Sequence, residues 1–274
     1  MKICEWVPNF SEGRNAETIG RLRESASSVP GAVLLHTDSN EDANRTVMTI
    51  AGTPDALLEC AFRTCKTAAE LIDMRSQSGE HPRSGSIDVS PFIPLQDMSV
   101  EESLALCCDL GTMVWQALGI PVYFYADAAR SPERIRLPNI RKGGYEALQH
   151  KLEDPGFKPD IGDPVFNKKN GIMVCGVRNI MVAWNISINS KDTALAENIA
   201  AEIRESGRRG KPGLFLGVQA KGWYMELYGC AQISCNLHNP WDSALADIFS
   251  AAAKIARSAE ISICGTKIFF SENF

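Results

Sequence analysis

A histidine set between a glutamate and a proline opens the most informative stretch of the chain, Glu80-His81-Pro82-Arg83-Ser84-Gly85-Ser86-Ile87-Asp88-Val89. Proline pushes the residue before it out of helical geometry, so His81 is expected on a rigid, extended loop. Imidazole titrates near neutral pH without help from its surroundings. That suits His81 to taking a proton in one half of a reaction and returning it in the other. Glu80, Arg83 and Asp88 surround it with charge. The same residues also read as a solvated loop, and alone they name no reaction. Two more polar stretches lie close to apolar strands. Pro8-Asn9-Phe10-Ser11-Glu12-Gly13-Arg14 follows the first strand and offers backbone amides, Asn9 and Ser11 to a ligand, or else is a plain turn. Asp38 to Thr46 is polar except for Ala43, with Asn44 and Arg45 at the entrance to a strand. A hairpin connection needs fewer polar residues than that.

These stretches are positioned by strands alternating with helices from end to end. Lys2–Val7, Ala32–Thr37, Arg45–Ala51, Ser86–Ile93 and Pro121–Ala126 read as strands. Helices fall at Asn15–Ser27, from Thr53 to about Met74, and from the capping box Ser99-Val100-Glu101-Glu102 to Leu118. From Leu137 to Asn170 the composition turns to Pro, Gly, Lys and Asp, with one helix near Gly144–Lys151. The remainder reads β-α-β-β-α-β, the split βαβ pattern of ferredoxin-like folds, and the first half holds the same run inside a longer string. Gly52-Thr53-Pro54-Asp55-Ala56-Leu57-Leu58-Glu59 echoes Ser190-Lys191-Asp192-Thr193-Ala194-Leu195-Ala196-Glu197. The echo reads either as shared capping chemistry or as structural duplication. The expected fold is α+β, an α/β sandwich of two ferredoxin-like subdomains, 1–178 and 179–274. Mixed sheets and outer helices would leave a ligand cleft between them.

Composition excludes several classes. The 274 residues carry 28 Lys+Arg against 33 Asp+Glu, a net charge of −5, and no basic block. A nucleic-acid partner would need clustered cations. No apolar run approaches the roughly 18 residues of a membrane span. The acidic residue in Met1-Lys2-Ile3-Cys4-Glu5 is unlike a signal peptide, so the expected compartment is cytoplasmic. The nine cysteines form no Cys-x-x-Cys and pair with no His at zinc spacing, so they are expected to be reduced and structural, with no metal site. Cys4 and Cys264 are set apart by position only. Trp6, Phe10, Tyr123 and Trp184 can stack on a ring but read first as core.

The motifs recur together in a known order. Val7 to Gly13, Asp38 through Asn44-Arg45-Thr46-Val47-Met48-Thr49, His81-Pro82-Arg83 with Asp88 to Pro94, Pro121 to Tyr125, and Ile140-Arg141-Lys142-Gly143-Gly144-Tyr145-Glu146 resemble the formiminotransferase family. Pro159 to Gly162, Gly176 to Asn179, Ala183-Trp184-Asn185 and Gln232 to Asn236 extend the resemblance over nearly the whole chain. It implies two α/β subdomains, usually as a homodimer. The implied reaction moves a formimidoyl group from N-formimidoyl-L-glutamate to N5 of tetrahydrofolate, in histidine degradation. By motif position it puts the catalytic histidine on His81 and the folate-binding segment on Asp163, Pro164, Val165, Phe166, Asn167, Lys168, Lys169, Asn170, Gly171 and Ile172. Asp38 is the expected carboxylate that orients His81. Carboxylates on donor and folate call for arginine clamps, and Arg45 and Arg178 stand at motif positions, joined by Asn9, Ser11 and Asn44 as substrate-binding residues. The family's cyclodeaminase domain does not follow before Phe274. Gly162-Asp163-Pro164-Val165 and the polar Asn167 to Asn170 depart from the pattern. That leaves open another donor such as formimidoylglycine, a formyl-folate reaction, or a folate-binding paralogue without turnover.

Overall fold

Alternating apolar residues in the first 178 positions build a seven-stranded mixed sheet. The computed structural model describes residues 1–79, 82–208, 210–237 and 243–269. Contacts divide these into two units, with the boundary after Arg178. In the first unit the strands are β1 (Cys4–Trp6), β2 (Asn9–Phe10), β3 (Ala32–Asn40), β4 (Arg45–Gly52), β5 (Ile87–Pro94), β6 (Val122–Ala126) and β7 (Met173–Val177). Val7-Pro8 interrupts what is otherwise one edge-to-edge path, and β1 and β2 each pair antiparallel with β4 on one side and β5 on the other. β3 borders β4 antiparallel. β7 and then β6 extend the sheet beyond β5 in parallel.

Three helices, α1 (Ala16–Ala26), α2 (Pro54–Leu71) and α3 (Val100–Leu118), cover one face. Their apolar stripes bury Leu22, Leu57, Ala61, Leu106 and Val114 against Trp6, Met48, Ile50, Phe92 and Phe124. The helix starts follow local chemistry. Asn15 Oδ1 accepts the Thr18 N–H at 3.0 Å, and Ser99 and Glu102 close the expected capping box at 3.2 and 3.0 Å. Thr53, by contrast, makes no side-chain cap, and Pro54 alone starts α2. The opposite sheet face carries Val89, Tyr123, Tyr125 and Val174, covered by α4 (Leu137–Arg141) and α5 (Leu148–Glu153) through Ile140, Leu148 and Leu152. The connecting region is therefore more structured than its Pro and Gly content implies. Asp160 ties it down by accepting from Phe124 N at 2.7 Å and Arg134 at 2.9 Å.

The polar stretch from Asp38 to Thr46 is mostly strand. β3 runs to Asn40 and β4 starts at Arg45, leaving Glu41–Asn44 as the turn. Likewise, the apolar run from Ile172 to Ile188 is split between two sheets, β7 in the first and β8 (Val182–Ile188) in the second. The second unit continues with α6 (Thr193–Ile203), β9 (Val218–Met225), β10 (Cys230–Leu237), α7 (Leu245–Ser258) and β11 (Ile263–Phe269). Its sheet, in the order β11-β8-β10-β9, is wholly antiparallel rather than mixed. Ile186, Ile199, Ala200, Ile233 and Ile248 form its core.

Both units thus hold a βαββαβ run whose fourth strand borders the first and whose third lies between the first and second. The sequence echo is not the trace of that duplication. Gly52–Glu59 opens the second helix of the first run, whereas Ser190–Glu197 opens the first helix of the second run. Nor do the two starts share a cap: Asp192 Oδ1 accepts the Ala194 and Leu195 N–H groups at α6, whereas Thr53 makes no side-chain cap at α2.

All nine cysteines are free thiols. Cys4, one of the two set apart by position, is core, and burial pushes its thiol up to about 11. Cys264 is exposed. Trp6, Phe10, Tyr123 and Trp184 are all buried. Among the described residues no helix is long and apolar enough to cross a membrane.

Candidate active site

An aspartate inside an apolar strand needs a partner or a bend in the chain, and Asp88 has both. Asn9 pairs with Val89 and Phe10 with Ile87, so Asp88 is the unopposed residue of a β-bulge. Ile87 stays with the helix-covered core while Val89 joins the cluster on the opposite face. Fully buried there, Asp88 receives a hydrogen bond from the Ser84 N–H at 2.8 Å and a salt bridge from Arg141 at the end of α4. Burial pushes the Asp88 carboxyl up, against the pull of Arg141, the Ser84 N–H and Arg45. Arg45, half-buried at the start of β4, lies in the same field. Burial and the Arg141 charge lower its guanidinium from the ordinary value, and Asp88 and Asp38 oppose them.

The loop from Met74 to Ser86 is fastened at both ends to this corner. Asn44, with φ at 48°, accepts the Gly13 N–H at 2.9 Å and donates to Gln77 Oε1 at 2.5 Å and Ser78 O at 2.9 Å. Gln77 also donates to Glu12 at 3.1 Å. On the far side Ser11 Oγ donates to Gly85 O at 2.7 Å. Arg83 donates to Gln77 O at 2.9 Å and to Glu146 at 2.5 Å. Asn44 and Ser11, expected to meet substrate, are buried and committed to the scaffold. Asn9 is half-buried and donates to Val7 O at 3.3 Å. Asp38, on β3 opposite Val47, is exposed beside Arg45. His81 and its neighbour Glu80 lie outside the described residues.

The segment expected to bind folate divides in two. Asp163, Pro164, Val165 and Lys168 are exposed, and the Phe166 ring lies tilted at 48° to that of Tyr145, with centroids 5.4 Å apart. Asn167 and Lys169 are half-buried, donating to Gly119 O at 3.1 Å and Glu70 O at 2.8 Å. Asn170, Gly171 and Ile172 are buried against the histidine loop. Ser86 Oγ donates to Asn170 Oδ1 at 2.9 Å, the Ser86 N–H to Asn170 O at 2.9 Å and the Ile172 N–H to Ser84 O at 3.0 Å. A Cβ on Gly171, whose φ is +66°, would stand 2.1 Å from Ser84 O. Gly171→Ala is therefore expected to cost at least about 1–3 kcal/mol in urea unfolding. An unchanged midpoint would show that the two segments are not in contact.

Arg178 lies further along, its N–H bonded to Phe92 O at 3.2 Å and its guanidinium within hydrogen-bond reach of the buried Tyr125 hydroxyl. Burial raises that hydroxyl, against the charges of Arg178 and Arg141. The structure therefore brings Arg45, Asp38, Asn9 and the end of the 163–172 segment to one corner of the sheet with Arg83 and Asp88, already noted beside His81 in the sequence, and it adds Ser84, Arg141 and Glu146. The sequence signal for Arg141 was a lone Asp between Ile87 and Val89, a buried charge in need of a partner.

Residues 3–178 match the family described as "Formiminotransferase domain, N-terminal subdomain", and residues 183–270 match "Formiminotransferase domain". The chain belongs to the formiminotransferase family. It is 41% identical to the formimidoyltransferase-cyclodeaminase of Gallus gallus over 97% of its own length and 49% of that protein. It thus spans about half the length of the bifunctional relatives it matches. Two formiminotransferase relatives named glutamate formimidoyltransferase are nearer in length. That of Streptococcus pyogenes is 35% identical over 97% of this chain and 88% of its own. That of Thermoplasma acidophilum is 38% identical over 87% and 78%.

Proposed function

We propose that this formiminotransferase moves the formimidoyl group of N-formimidoyl-L-glutamate to N5 of tetrahydrofolate, releasing L-glutamate, as a step of histidine degradation. N5 of the folate attacks the formimidoyl carbon, and a tetrahedral intermediate forms. N5 loses a proton, the glutamate nitrogen gains one, and the bond between that nitrogen and the carbon breaks. His81 takes the proton from N5 and returns it to the leaving nitrogen, with Asp38 as the carboxylate that favours its charged form. Arg45 and Arg178 hold carboxylates of the substrates. Asp163 to Lys168, exposed except for the half-buried Phe166 and Asn167, receive the folate, and the buried Asn170 to Ile172 hold that segment against the histidine loop. Residues 1–178 and 179–274 are the two subdomains of this enzyme, and a homodimer in the cytoplasm is its working form.

The observation that carries this reading is the corner itself. The loop flanking His81, the turn that leads into the Arg45 strand and the end of the 163–172 segment are joined by direct hydrogen bonds. The test is to incubate the purified protein with tetrahydrofolate and formimidoylglutamate, convert the product with acid and read the methenyl absorbance. Product is expected with this donor and not with formimidoylglycine. No product, with tetrahydrofolate bound, would overturn the reading.

A further inference from the structure

Buried hydrogen-bond donors rarely lack an acceptor, because each orphan costs about 1–3 kcal/mol. Three stand together at this corner: Arg83 Nε, Ser84 Oγ and Arg141 Nε. Ser84 is fully buried, and the Arg83 and Arg141 side chains are only 13% and 10% exposed. Each residue is held by its other atoms. Arg83 is fixed by Glu146 and Gln77 O, and Ser84 N and Arg141 grip opposite oxygens of Asp88. Arg141 and Glu146 come from one short stretch, so that stretch is pinned at two points, to the histidine loop through Arg83 and to β5 through Asp88. What the described residues leave over is two guanidinium N–H donors and a hydroxyl that can donate beside them. The missing partner is an anion with several acceptor oxygens, and the fork geometry of guanidinium suits a carboxylate.

The geometry points to Arg83, Ser84 and Arg141 as the pocket for one carboxylate of the amino-acid donor, with Asp88 as the positioning residue that aims Arg141. This rests on the proposed reaction for the identity of the ligand. The pocket itself rests on the orphaned donors. Asp88 acts through Arg141. The bulge puts its carboxylate on the face away from α1–α3, and it takes up one end of the guanidinium while leaving Nε–H unspent. The folate glutamyl tail offers the same chemistry. The donor is favoured because Arg83 and Ser84 follow the proposed catalytic His81 by two and three residues in the chain.

The test uses steady-state kinetics on the full chain, with the donor and tetrahydrofolate varied separately. Arg141→Gln is expected to raise the donor KM by about 30-fold or more while the folate KM moves less than about twofold, and Arg141→Lys to recover part of the loss. Ser84→Ala removes a hydroxyl that bonds nothing among the described residues, so stability should hold while the donor KM rises roughly 3- to 10-fold. The two monoamides of formimidoylglutamate report which carboxylate is bound: the analogue lacking it should be insensitive to Arg141→Gln. A shift in the folate KM alone, equal losses for both monoamides and the parent, or an unchanged donor KM in Ser84→Ala would each overturn the pocket; the last result would assign the orphaned donors to a buried water. A second arm separates this from the reaction. Glutarate binding by calorimetry should weaken in Arg141→Gln whether or not formimidoyl transfer occurs. Wild-type protein that binds glutarate but transfers nothing would sink the reaction and keep the pocket.

Discussion

Replacing His81 by alanine is expected to lower kcat for formimidoyl transfer by about 10²- to 10⁴-fold with tetrahydrofolate affinity nearly unchanged. The size follows from the reaction. A nitrogen cannot attack and leave in one site without a proton moving from one to the other, and His81 is the group whose ordinary pKa suits both directions at neutral pH. The selectivity follows from the surroundings. Gln77 and Ser78 before the histidine are held by Asn44, and Ser84 and Ser86 after it are bonded to Ile172 and Asn170. None of these bonds uses the imidazole. Removal of the ring should therefore leave the loop path and the folate segment in place. Single-turnover kinetics together with folate titration would check both halves. A His81→Ala protein with ordinary turnover would mean that the proton passes through another group.

The largest expected stability effect is that of Asp88→Ala. The carboxylate is fully buried and receives both Arg141 and the Ser84 N–H, so its loss strands a guanidinium and an amide in a dry corner. Breaking a buried pair by removing one partner costs about 3–5 kcal/mol. The loss should appear as a lower urea midpoint with an unchanged slope, since the surface exposed on unfolding is the same. Removing both charges as Asp88→Leu with Arg141→Met should return much of the stability without returning donor binding. A single variant within about 0.5 kcal/mol of wild type would show that the pair is solvated.

Much of the architecture was legible because it is local. Asn15, Ser99 and Glu102 cap helices through bonds spanning three residues, and such bonds form in any context. The reading of Ala32–Thr37 and Arg45–Ala51 as strands needed only hydrophobic alternation and β-branched content. The candidate site was legible in part for the same reason. Arg45 at the mouth of a strand announces itself by type and neighbour, and His81 before Pro82 is proposed on the same grounds.

Sequence alone determined the order of elements, the capping signals, the motif series that marks the family and the residue types that can move a proton or hold a carboxylate. Only the tertiary structure decided which of those residues are spent on the scaffold. Asn44 and Ser11 look identical in sequence to ligand-binding residues, and their commitment to Gly13, Ser78 and Gly85 depends on partners up to 74 positions away. The break after Arg178 was legible, but the neighbours of the two strands it separates, β5 and β6 for β7 and β10 and β11 for β8, were not. Apolar periodicity reports that a strand is buried and says nothing of which strands it borders. The bulge at Asp88 was invisible too, because one unopposed residue arises only when β2 and β5 are brought into register. That single offset turns a charged side chain from the helix-packed core to the face where Arg141 awaits it, since neighbouring residues of a strand point to opposite sides.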